Sequence, residues 1–322
     1  MPEKLRIVFM GTPEFAVASL DALLKSKHKI VGVITAADKP AGRGKKIMPS
    51  PVKEFALKNE ISPILQPSNL KDQRFIEELK NLNADLQVVV AFRMLPEVVW
   101  SMPPKGTINL HASLLPNYRG AAPINRAIIN GEKESGATTF FIEKEIDAGN
   151  IIDQIKVEIT PDMLAGELHD ILMESGAKLI VKTVNAIADG NHKSTPQSTV
   201  DLNKPVHSAP KIFKEDCKID WTKNGEPIHN FIRGLSPFPA AWTDLIINDY
   251  PTTIKIFRSK FKSQNHTYPP GKLFSDGKTN LQIAVPDGFI KILILQQAGK
   301  KRMSTEEFLR GIQDVNKLSL IV

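Results

Sequence analysis

The segment GTINLHASLLPNYRG, residues 106–120, places polar side chains where an otherwise apolar run ends in a loop. Asn109 and His111 are two residues apart in that run. Because side chains alternate along a strand, a strand over residues 107–111 puts both on one face, with His111 at the carboxyl end. A carboxamide beside an imidazole can stabilise a developing oxyanion and move a proton. Alone, such a pair is more often a structural hydrogen bond than a site.

Asp147 is the third polar residue that could join this pair. It stands in EIDAGN, between two predicted strands, where a turn can bring a carboxylate towards the same end of the sheet. By itself it would be an ordinary turn aspartate. The three side chains together suit transfer of an acyl group to an amine, with the aspartate orienting the imidazole or a bridging water. The substrate's amine is then the nucleophile, which fits a sequence without a Gly-x-Ser-x-Gly elbow.

These residues need a sheet that brings strand ends together, and the hydrophobic pattern predicts one. Short apolar runs alternate with helical stretches, and the predicted strands cover residues 5–10, 30–35, 86–92, 107–111, 138–142 and 151–159. This alternation predicts an α/β fold with a Rossmann-like, doubly wound and mostly parallel sheet. In such a sheet the ligand crevice lies beyond the carboxyl ends of the strands, where His111 is expected.

The sequence changes character after a long amphipathic helix predicted over residues 165–188. Residues 190–206 are polar, contain proline and show no periodicity, as is typical of a surface linker. The residues that follow contain a short helix and several short strand-like runs between turns, which predict a small C-terminal β-barrel. We therefore expect a catalytic domain over residues 1–189, a linker over 190–206 and a second domain over 207–322.

Cysteine, histidine and apolar content exclude several classes of protein. The single cysteine, Cys217, rules out an internal disulfide and fits a reducing cytoplasm. None of the seven histidines has a second His or Cys at metal-ligand spacing, so no metal is expected. No apolar segment is long enough for a signal sequence or a membrane span. We expect a cytoplasmic protein with no membrane partner.

The net charge of +7 is unevenly distributed along the chain. Residues 204–322 contain 18 Lys and Arg against 11 Asp and Glu, whereas residues 1–203 contain 24 of each kind. A basic C-terminal part indicates an anionic partner, most commonly nucleic acid, although a lysine-rich solvated surface would look the same.

Several of these residues together resemble the signature of the folate-dependent formyltransferases: Asn109, His111, Ser113, Leu114, Leu115, Pro116, Arg119, Gly120 and Asp147. The resemblance implies that Asn109, His111 and Asp147 are the catalytic set. It implies that residues 113–116 line a tetrahydrofolate site and that 10-formyltetrahydrofolate is the formyl donor. It also implies that the C-terminal barrel is OB-like.

The segment VAFRML, residues 90–95, is similar to the family stretch whose backbone receives the pterin ring. The resemblance therefore adds Arg93 and Leu95 to the expected folate contacts. Arg93 stands where many relatives have glycine, and Asn150 where many have aspartate, so the details of the pterin pocket are open. An ordinary core strand that runs into a helix would also account for Phe92 and Met94.

A basic loop bears on the acceptor of the formyl group. Residues 38–53, DKPAGRGKKIMPSPVK, are too rich in glycine and proline to predict regular structure, and their cations are Lys39, Arg43, Lys45 and Lys46. Such a loop can be merely solvated. Its order of residues resembles the inserted loop of the family branch that formylates methionyl-tRNA, and the segments GTPEFA, residues 229–242 and residues 296–311 resemble that branch too. The resemblance implies initiator methionyl-tRNA as partner, a role in translation initiation, and a monomer.

Two alternatives stay open at this point. One is a formyltransferase acting on a small amine, a ribonucleotide or an amino sugar, since the same catalytic set would serve it. The other is a non-catalytic tRNA-binding protein. A nicotinamide dehydrogenase is excluded because Gly11-Thr12-Pro13 is not a dinucleotide fingerprint. An aromatic cluster that could be mistaken for a base-stacking surface, Phe231, Phe238 and Trp242, is expected in the core of the second domain.

Overall fold

A computed structural model describes residues 3–41, 46–200 and 205–321. The chain forms two compact units. Unit 1 comprises Met1–Gly120, Ser135–Val157 and His169–Ser208; unit 2 comprises Ala121–Glu134, Glu158–Leu168 and Ala209–Val322. Two segments from the first part of the sequence thus belong to the C-terminal unit. The domain limits expected along the chain, 1–189, 190–206 and 207–322, stay a prediction.

The first part of the chain alternates strands with helices. Its elements are β1 (Arg6–Gly11), α1 (Glu14–Leu24), β2 (Lys29–Ile34), β3 (Lys39–Ala41), β4 (Lys46–Met48), α2 (Pro51–Lys58), β5 (Ile64–Leu65), α3 (Gln73–Asn81), β6 (Leu86–Val90), α4 (Glu97–Trp100), β7 (Thr107–His111), α5 (Pro123–Ile129), β8 (Glu134–Phe141), β9 (Ile151–Glu158) and α6 (Ala165–Ala188). Local signals fix several boundaries. Ser50 accepts a hydrogen bond from the Lys53 N–H and caps α2, and Asp72 caps α3 in the same way.

The main sheet of unit 1 has the strand order β5-β2-β1-β6-β7-β8-β9. β1 pairs in parallel with β2 and β6, and β6 with β7, whereas β8 pairs antiparallel to β7. The strands β1 and β6 are almost entirely buried, as in a sheet covered by helices on both faces. The predicted Rossmann-like, mostly parallel sheet is confirmed, and β6 and β7 end side by side at its centre.

The C-terminal part consists of strands, with one helix before them and a second between the last two strands. Its elements are α7 (Gly225–Gly234), β10 (Ala241–Ile247), β11 (Tyr250–Ser263), β12 (Leu273–Ser275), β13 (Leu281–Val285), β14 (Gly288–Gln297), β15 (Met303–Ser304), α8 (Thr305–Arg310) and β16 (Ser319–Ile321). The strands are antiparallel in the order β12-β13-β14-β11-β10-β16, with β15 against β14. This is the small OB-like barrel that the sequence predicts.

The core of unit 2 explains why buried and half-exposed side chains alternate along the barrel strands. Inward residues of β10, such as Leu245, are fully buried, while their neighbours are half-exposed. The buried indole of Trp221 donates a hydrogen bond to Thr243 Oγ1 at 3.0 Å, so its one polar atom is satisfied. Helix α5 also belongs to this unit: Asn125 Nδ2 donates to the Gly234 carbonyl at 2.7 Å.

The aromatic cluster of unit 2 is only partly a core feature. Phe231 and Trp242 pack against the barrel core, as predicted. For Phe238 the prediction is wrong, because its side chain is 81% exposed. Leu235 and Ala240, on either side, are 0% and 1% exposed, and between them residues 237–239 face outward while Ser236 is buried.

Two further properties concern the described ranges as a whole. None of their helices combines the length and apolar character that a membrane crossing needs. In the same ranges, no three His, Cys, Asp or Glu side chains are grouped so that they could hold a metal ion.

Candidate active site

Strand β7 presents Asn109 and His111 on one face at the centre of the unit 1 sheet. Asn109 lies opposite Val89 of β6 and Phe140 of β8, and Leu110, on the other face, is buried. The Asn109 carboxamide is half-buried and has no hydrogen-bond partner among the residues that the structure describes. Buried polar groups are almost always paired, so an unpaired carboxamide at this depth is suited to form a hydrogen bond with a ligand.

His111 is held by a backbone acceptor that also defines its tautomer. Its Nε2 lies 2.8 Å from the carbonyl oxygen of Tyr118. A carbonyl can only accept a hydrogen bond, so Nε2 carries the proton and donates. Nδ1 then remains to receive a second proton, and it lies 3.7 Å from Asp147 Oδ2. The imidazole, 7% exposed, can therefore form an ion pair with this carboxylate when it is protonated.

Asp147 reaches His111 through a tightly constrained turn. Its φ is 52°, in the left-handed region that aspartate tolerates better than most residues. The Gly120 N–H donates to its Oδ2 at 3.0 Å. Two residues on, a Cβ at Gly149 would lie 1.8 Å from the backbone oxygen of Phe141, so only glycine fits there. The structure thus brings His111 and Asp147 together, with Asn109 on the same strand face as His111.

Gln197, which sequence reasoning missed, supports this turn from the segment expected to be a linker. It lies in a short 3-10 turn, Gln197–Thr199, and is 4% exposed. Its Nε2 donates to the carbonyls of Asp147 and Gly149, both at 2.8 Å. Its Oε1 accepts from Arg119 Nε at 2.9 Å and from the adjacent guanidinium nitrogen at 2.6 Å. A polar segment without periodicity carried no signal for this interaction.

The loop 113–116 is fixed by its own hydrogen bonds. Ser113 Oγ donates to the Asn117 carbonyl at 2.6 Å, and Thr138 Oγ1 donates to the Ser113 carbonyl at 2.6 Å. The Leu115 N–H donates to Thr138 Oγ1, and Gln154 Nε2 donates to the Leu115 carbonyl. Ser113 and Leu115 are fully buried, Pro116 is buried, and Leu114 is half-buried. These side chains shape the loop, and the expectation that it lines a folate site stays a prediction.

The segment after β6 combines buried and exposed residues. Arg93 is exposed, and its guanidinium donates to the carbonyls of Ser68, at 3.0 Å, and Pro67, which ties this segment to a neighbouring loop. Leu95 belongs to the core beside β6, whereas Met94 is 75% exposed. Ala91 has a φ of 47°, which turns the backbone sharply where the strand ends. The expected folate contacts of Arg93 and Leu95 stay predictions.

The basic loop contains more structure than the sequence indicates. β3 and β4 form a short antiparallel pair, Lys39 opposite Met48 and Ala41 opposite Lys46, so the prediction of no regular structure is wrong here. Strands of three residues are too short to show a period, which explains the error. Lys39 lies in β3 and Lys46 begins β4. Arg43 and Lys45 lie outside the described residues.

Hydrogen bonds close the base of this loop. Thr35 Oγ1 and Ser50 Oγ are 2.6 Å apart and buried. Lys53 Nζ lies 2.6 Å from Asp38 Oδ2 and 2.7 Å from Gln66 Oε1, and Gln66 in turn donates to Asp38 Oδ1. The hydrogen bond from Lys53, followed by that from Gln66, lowers the pKa of Asp38. The loop is thus anchored on both sides.

Comparison with known proteins identifies the family of the chain. A family model described as formyl transferase matches residues 5–184, and one described as formyl transferase, C-terminal domain, matches residues 211–313. The chain is 56% identical to a methionyl-tRNA formyltransferase of Flavobacterium johnsoniae, over 96% of this chain and 97% of the relative. It is 53% identical to the protein of that name from Bacteroides fragilis, over 96% and 95%.

Solved structures share the fold. A sugar 3N-formyl transferase crystallised in the presence of dTDP and 5-N-formyl-THF is 25% identical, with a TM-score of 0.63, over 92% of this chain and 99% of that one. An N-formyltransferase from Helicobacter canadensis has a TM-score of 0.64 at 23% identity, over 93% and 100%, and supports the fold alone.

Proposed function

The chain belongs to the methionyl-tRNA formyltransferase family, and on that premise we propose that it transfers the formyl group of 10-formyltetrahydrofolate to the amino group of methionine on initiator tRNA. The product would serve translation initiation. The observation that carries the proposal is the approach of His111 and Asp147 at the end of β7, with the open carboxamide of Asn109 on the same face.

The three side chains divide the work of acyl transfer to an amine. As the methionine nitrogen attacks the formyl carbon, negative charge develops on the formyl oxygen, and the Asn109 carboxamide donates a hydrogen bond to it. The nitrogen must lose a proton once the new C–N bond forms. His111 Nδ1, which has no proton while Nε2 donates to Tyr118, accepts it, directly or through a water, and Asp147 stabilises the imidazolium.

The same proton completes the reaction. The bond between the formyl carbon and N10 of the folate breaks, and N10 leaves as an amine that needs a proton. Imidazolium at His111 supplies it, so the histidine returns to its starting state and no net proton stays on the protein. No covalent acyl-enzyme is needed, because the acceptor amine is itself the nucleophile.

Folate recognition rests on two loops at the carboxyl ends of β6 and β7. We propose that residues 113–116 form one wall of the site and that the segment containing Arg93 and Leu95 receives the pterin ring. The internal hydrogen bonds of the first loop and the anchoring of Arg93 to residues 67–68 support a preformed site. Preorganised walls lower the entropic cost of binding.

Binding of tRNA is assigned to the basic loop and to unit 2. Lys39, Arg43, Lys45 and Lys46 would contact phosphates of the acceptor arm, and the hydrogen bonds between the residues that flank the loop support that role by holding its two ends together. The basic C-terminal part would bind further phosphates with little base reading. We propose that the enzyme acts as a monomer in the cytoplasm.

Single-turnover formyl transfer from 10-formyltetrahydrofolate tests the proposal directly. The acceptors compared are initiator methionyl-tRNA, free methionine, glycinamide ribonucleotide and a dTDP-linked amino sugar. We expect transfer to the charged tRNA alone. Transfer to a small amine instead would keep the catalytic set and discard the tRNA assignment. No transfer to any acceptor, with tRNA still bound, would identify a binding protein.

A further inference from the structure

Gln197 connects two backbone segments that converge on Asp147. One is the turn 147–149, whose two carbonyls accept from its Nε2 at 2.8 Å each. The other is residues 119–120: Arg119 donates twice to Gln197 Oε1, and the Gly120 N–H donates to the Asp147 carboxylate. The carboxylate is therefore held on one side by Gly120 and, through its own backbone, by Gln197 on the other.

Glutamine suits this position better than any other residue type. Its amide has two N–H donors and two acceptor lone pairs, and all four are used here. The partners fix its orientation, since a flipped amide would face carbonyls with its oxygen and a guanidinium with its nitrogen. Because the Gln197 side chain is only 4% exposed, water cannot readily take the place of a lost hydrogen-bond partner, so such a loss is destabilising. An isosteric glutamate would keep the hydrogen bonds from Arg119 and lose the two donors to the turn.

The surrounding segment reinforces this arrangement at two more points. Thr195 pairs with Ile151, two residues after the turn, through backbone hydrogen bonds of 2.8 Å in both directions. Further along, the Tyr118 N–H donates to the His207 carbonyl at 2.6 Å, and Tyr118 supplies the carbonyl that holds His111 Nε2. The segment after α6 thus binds the supports of both Asp147 and His111.

We propose that Gln197 is a positioning residue for formyl transfer, which acts through Asp147 by fixing its carboxylate relative to His111. The proposal rests on the proposed function. Gln197 need not touch either substrate, because its amide is fully occupied within the protein. Without the two N–H donors of Gln197, the turn 147–149 is no longer held in place, and Asp147 in that turn already has a left-handed φ. The Asp147 carboxylate then moves away from its position 3.7 Å from the His111 imidazole.

A double-mutant cycle tests the proposal. Gln197→Glu is combined with Asp147→Asn, and single-turnover rates and KM values for both substrates are measured for the wild type, the single variants and the pair. We expect Gln197→Glu to lower the rate by about 10- to 100-fold, as small displacements of catalytic groups do, with KM values nearly unchanged. In the Asp147→Asn background the same substitution should have no further effect.

The controls separate positioning from a general loss of structure. Ser198→Ala alters an exposed neighbour in the same turn and should leave the rate unchanged. If Gln197→Glu fails to fold, Gln197→Ala replaces it, and thermal unfolding confirms the fold of each variant. Multiplicative rate losses in the double variant, or a rise in KM without a change in rate, would overturn the proposal.

A readout independent of activity keeps the two proposals distinguishable. The ring resonances of His111, observed by NMR at one pH without substrates, should shift in Gln197→Glu and in Asp147→Asn but not in Ser198→Ala. Unmoved His111 resonances in Gln197→Glu would contradict the inference even if the wild type formylates methionyl-tRNA. Shifted resonances in an enzyme that fails to formylate would contradict only the proposed reaction.

Discussion

Asn109 shows how a single side chain can be reserved for a transition state. Its half-buried carboxamide has no hydrogen-bond partner in the described part of the protein. The resting enzyme therefore lacks a hydrogen bond that a paired amide would make. That donor becomes useful only when charge develops on the substrate, where a fixed hydrogen bond requires no reorganisation.

Removing that donor should therefore slow chemistry and leave binding almost unchanged. We expect Asn109→Ala to lower the single-turnover rate by about 10²- to 10³-fold, the usual effect of losing one oxyanion donor. Asn59→Ala, an exposed amide in the same unit, is the matched control. A near-normal rate in Asn109→Ala would remove the residue from the mechanism.

His111 should behave differently because it moves protons as well. We expect His111→Ala to lower the rate by about 10²-fold or more, since the variant has neither an acceptor for the amine proton nor a partner for Asp147. Rates are followed under single-turnover conditions with saturating folate and tRNA. If turnover stays close to that of the wild type, His111 is a structural residue.

The sequence could place part of this site and not the rest, for a physical reason. Asn109 and His111 follow from the two-residue period of one strand, which is a local rule. Asp147 required a family signature as well, because a turn aspartate has many ordinary uses. Gln197 binds Asp147 and Arg119 across 50 and 78 residues, and no local pattern encodes a partner that distant in sequence.

Among the elements, the turn that carries Asp147 depends on the small size of Gly149. A methyl group there would meet the Phe141 backbone oxygen at 1.8 Å, and a backbone atom cannot move aside as a flexible side chain can. We expect Gly149→Ala to lower the rate at least tenfold and to cost about 1–3 kcal/mol in unfolding free energy, as overpacking does. Rates and urea unfolding measure the two effects.

Gly190 provides the control for that substitution. It has a positive φ of 68° but open space around a Cβ, so Gly190→Ala introduces backbone strain without a clash. We expect a loss of about 1 kcal/mol and an unchanged rate. Equal formyl-transfer rates in Gly149→Ala and Gly190→Ala would show that the turn at Asp147 can be displaced without loss of activity.

The basic loop should contribute to affinity through charge alone. Replacing Arg43, Lys45 and Lys46 by glutamine should weaken tRNA binding and reduce the slope of log affinity against log salt by up to about 3, near one for each phosphate that is no longer neutralised. Folate binding should not change. Glutamine at Lys58, Lys71 and Lys80, exposed cations of the same unit, is the control. An unchanged slope would mean that the loop is merely solvated.

The length of each element decided whether its hydrophobic period could be recognised in the sequence. The main-sheet strands other than β5 and the helix α6 are long enough to show their period, and those predicted agree with the structure within a few residues. β3 and β4 are three residues each and showed none. The outward position of Phe238 depends on which neighbours fill the core, so its hydrophobicity alone was misleading.

At the scale of the whole molecule, we expect one buried and one partly buried histidine to make stability depend on pH. Burial lowers the pKa of His28 in unit 1 and of His229 in unit 2. His28 Nδ1 accepts the Leu5 N–H, a bond that a protonated ring cannot make. Below the unfolded value of about 6.5 the unfolded chain binds protons that the folded chain excludes, so stability falls as pH decreases through that value.

Urea unfolding at pH 7.5 and pH 5.5 tests this dependence. We expect lower unfolding midpoints at pH 5.5 in the wild type and a smaller difference between the two pH values in His28→Gln and His229→Gln. The same pH difference in both variants as in the wild type would assign the effect to other groups.

The monomer proposal is tested by sedimentation velocity over a range of protein concentrations, with and without tRNA. We expect one species near the mass of 35.7 kDa for the free protein and a one-to-one complex with tRNA. A sedimentation coefficient that rises with protein concentration would indicate self-association.

The position of α5 in the sequence affects how the protein is made. This helix lies in the first half of the chain, yet it packs in unit 2, where Asn125 binds the Gly234 carbonyl and Ile129 touches Gly234. During synthesis, α5 leaves the ribosome about a hundred residues before α7 exists to cover it. Its apolar face must stay exposed on the nascent chain through that interval, which makes it a natural place for a chaperone to bind.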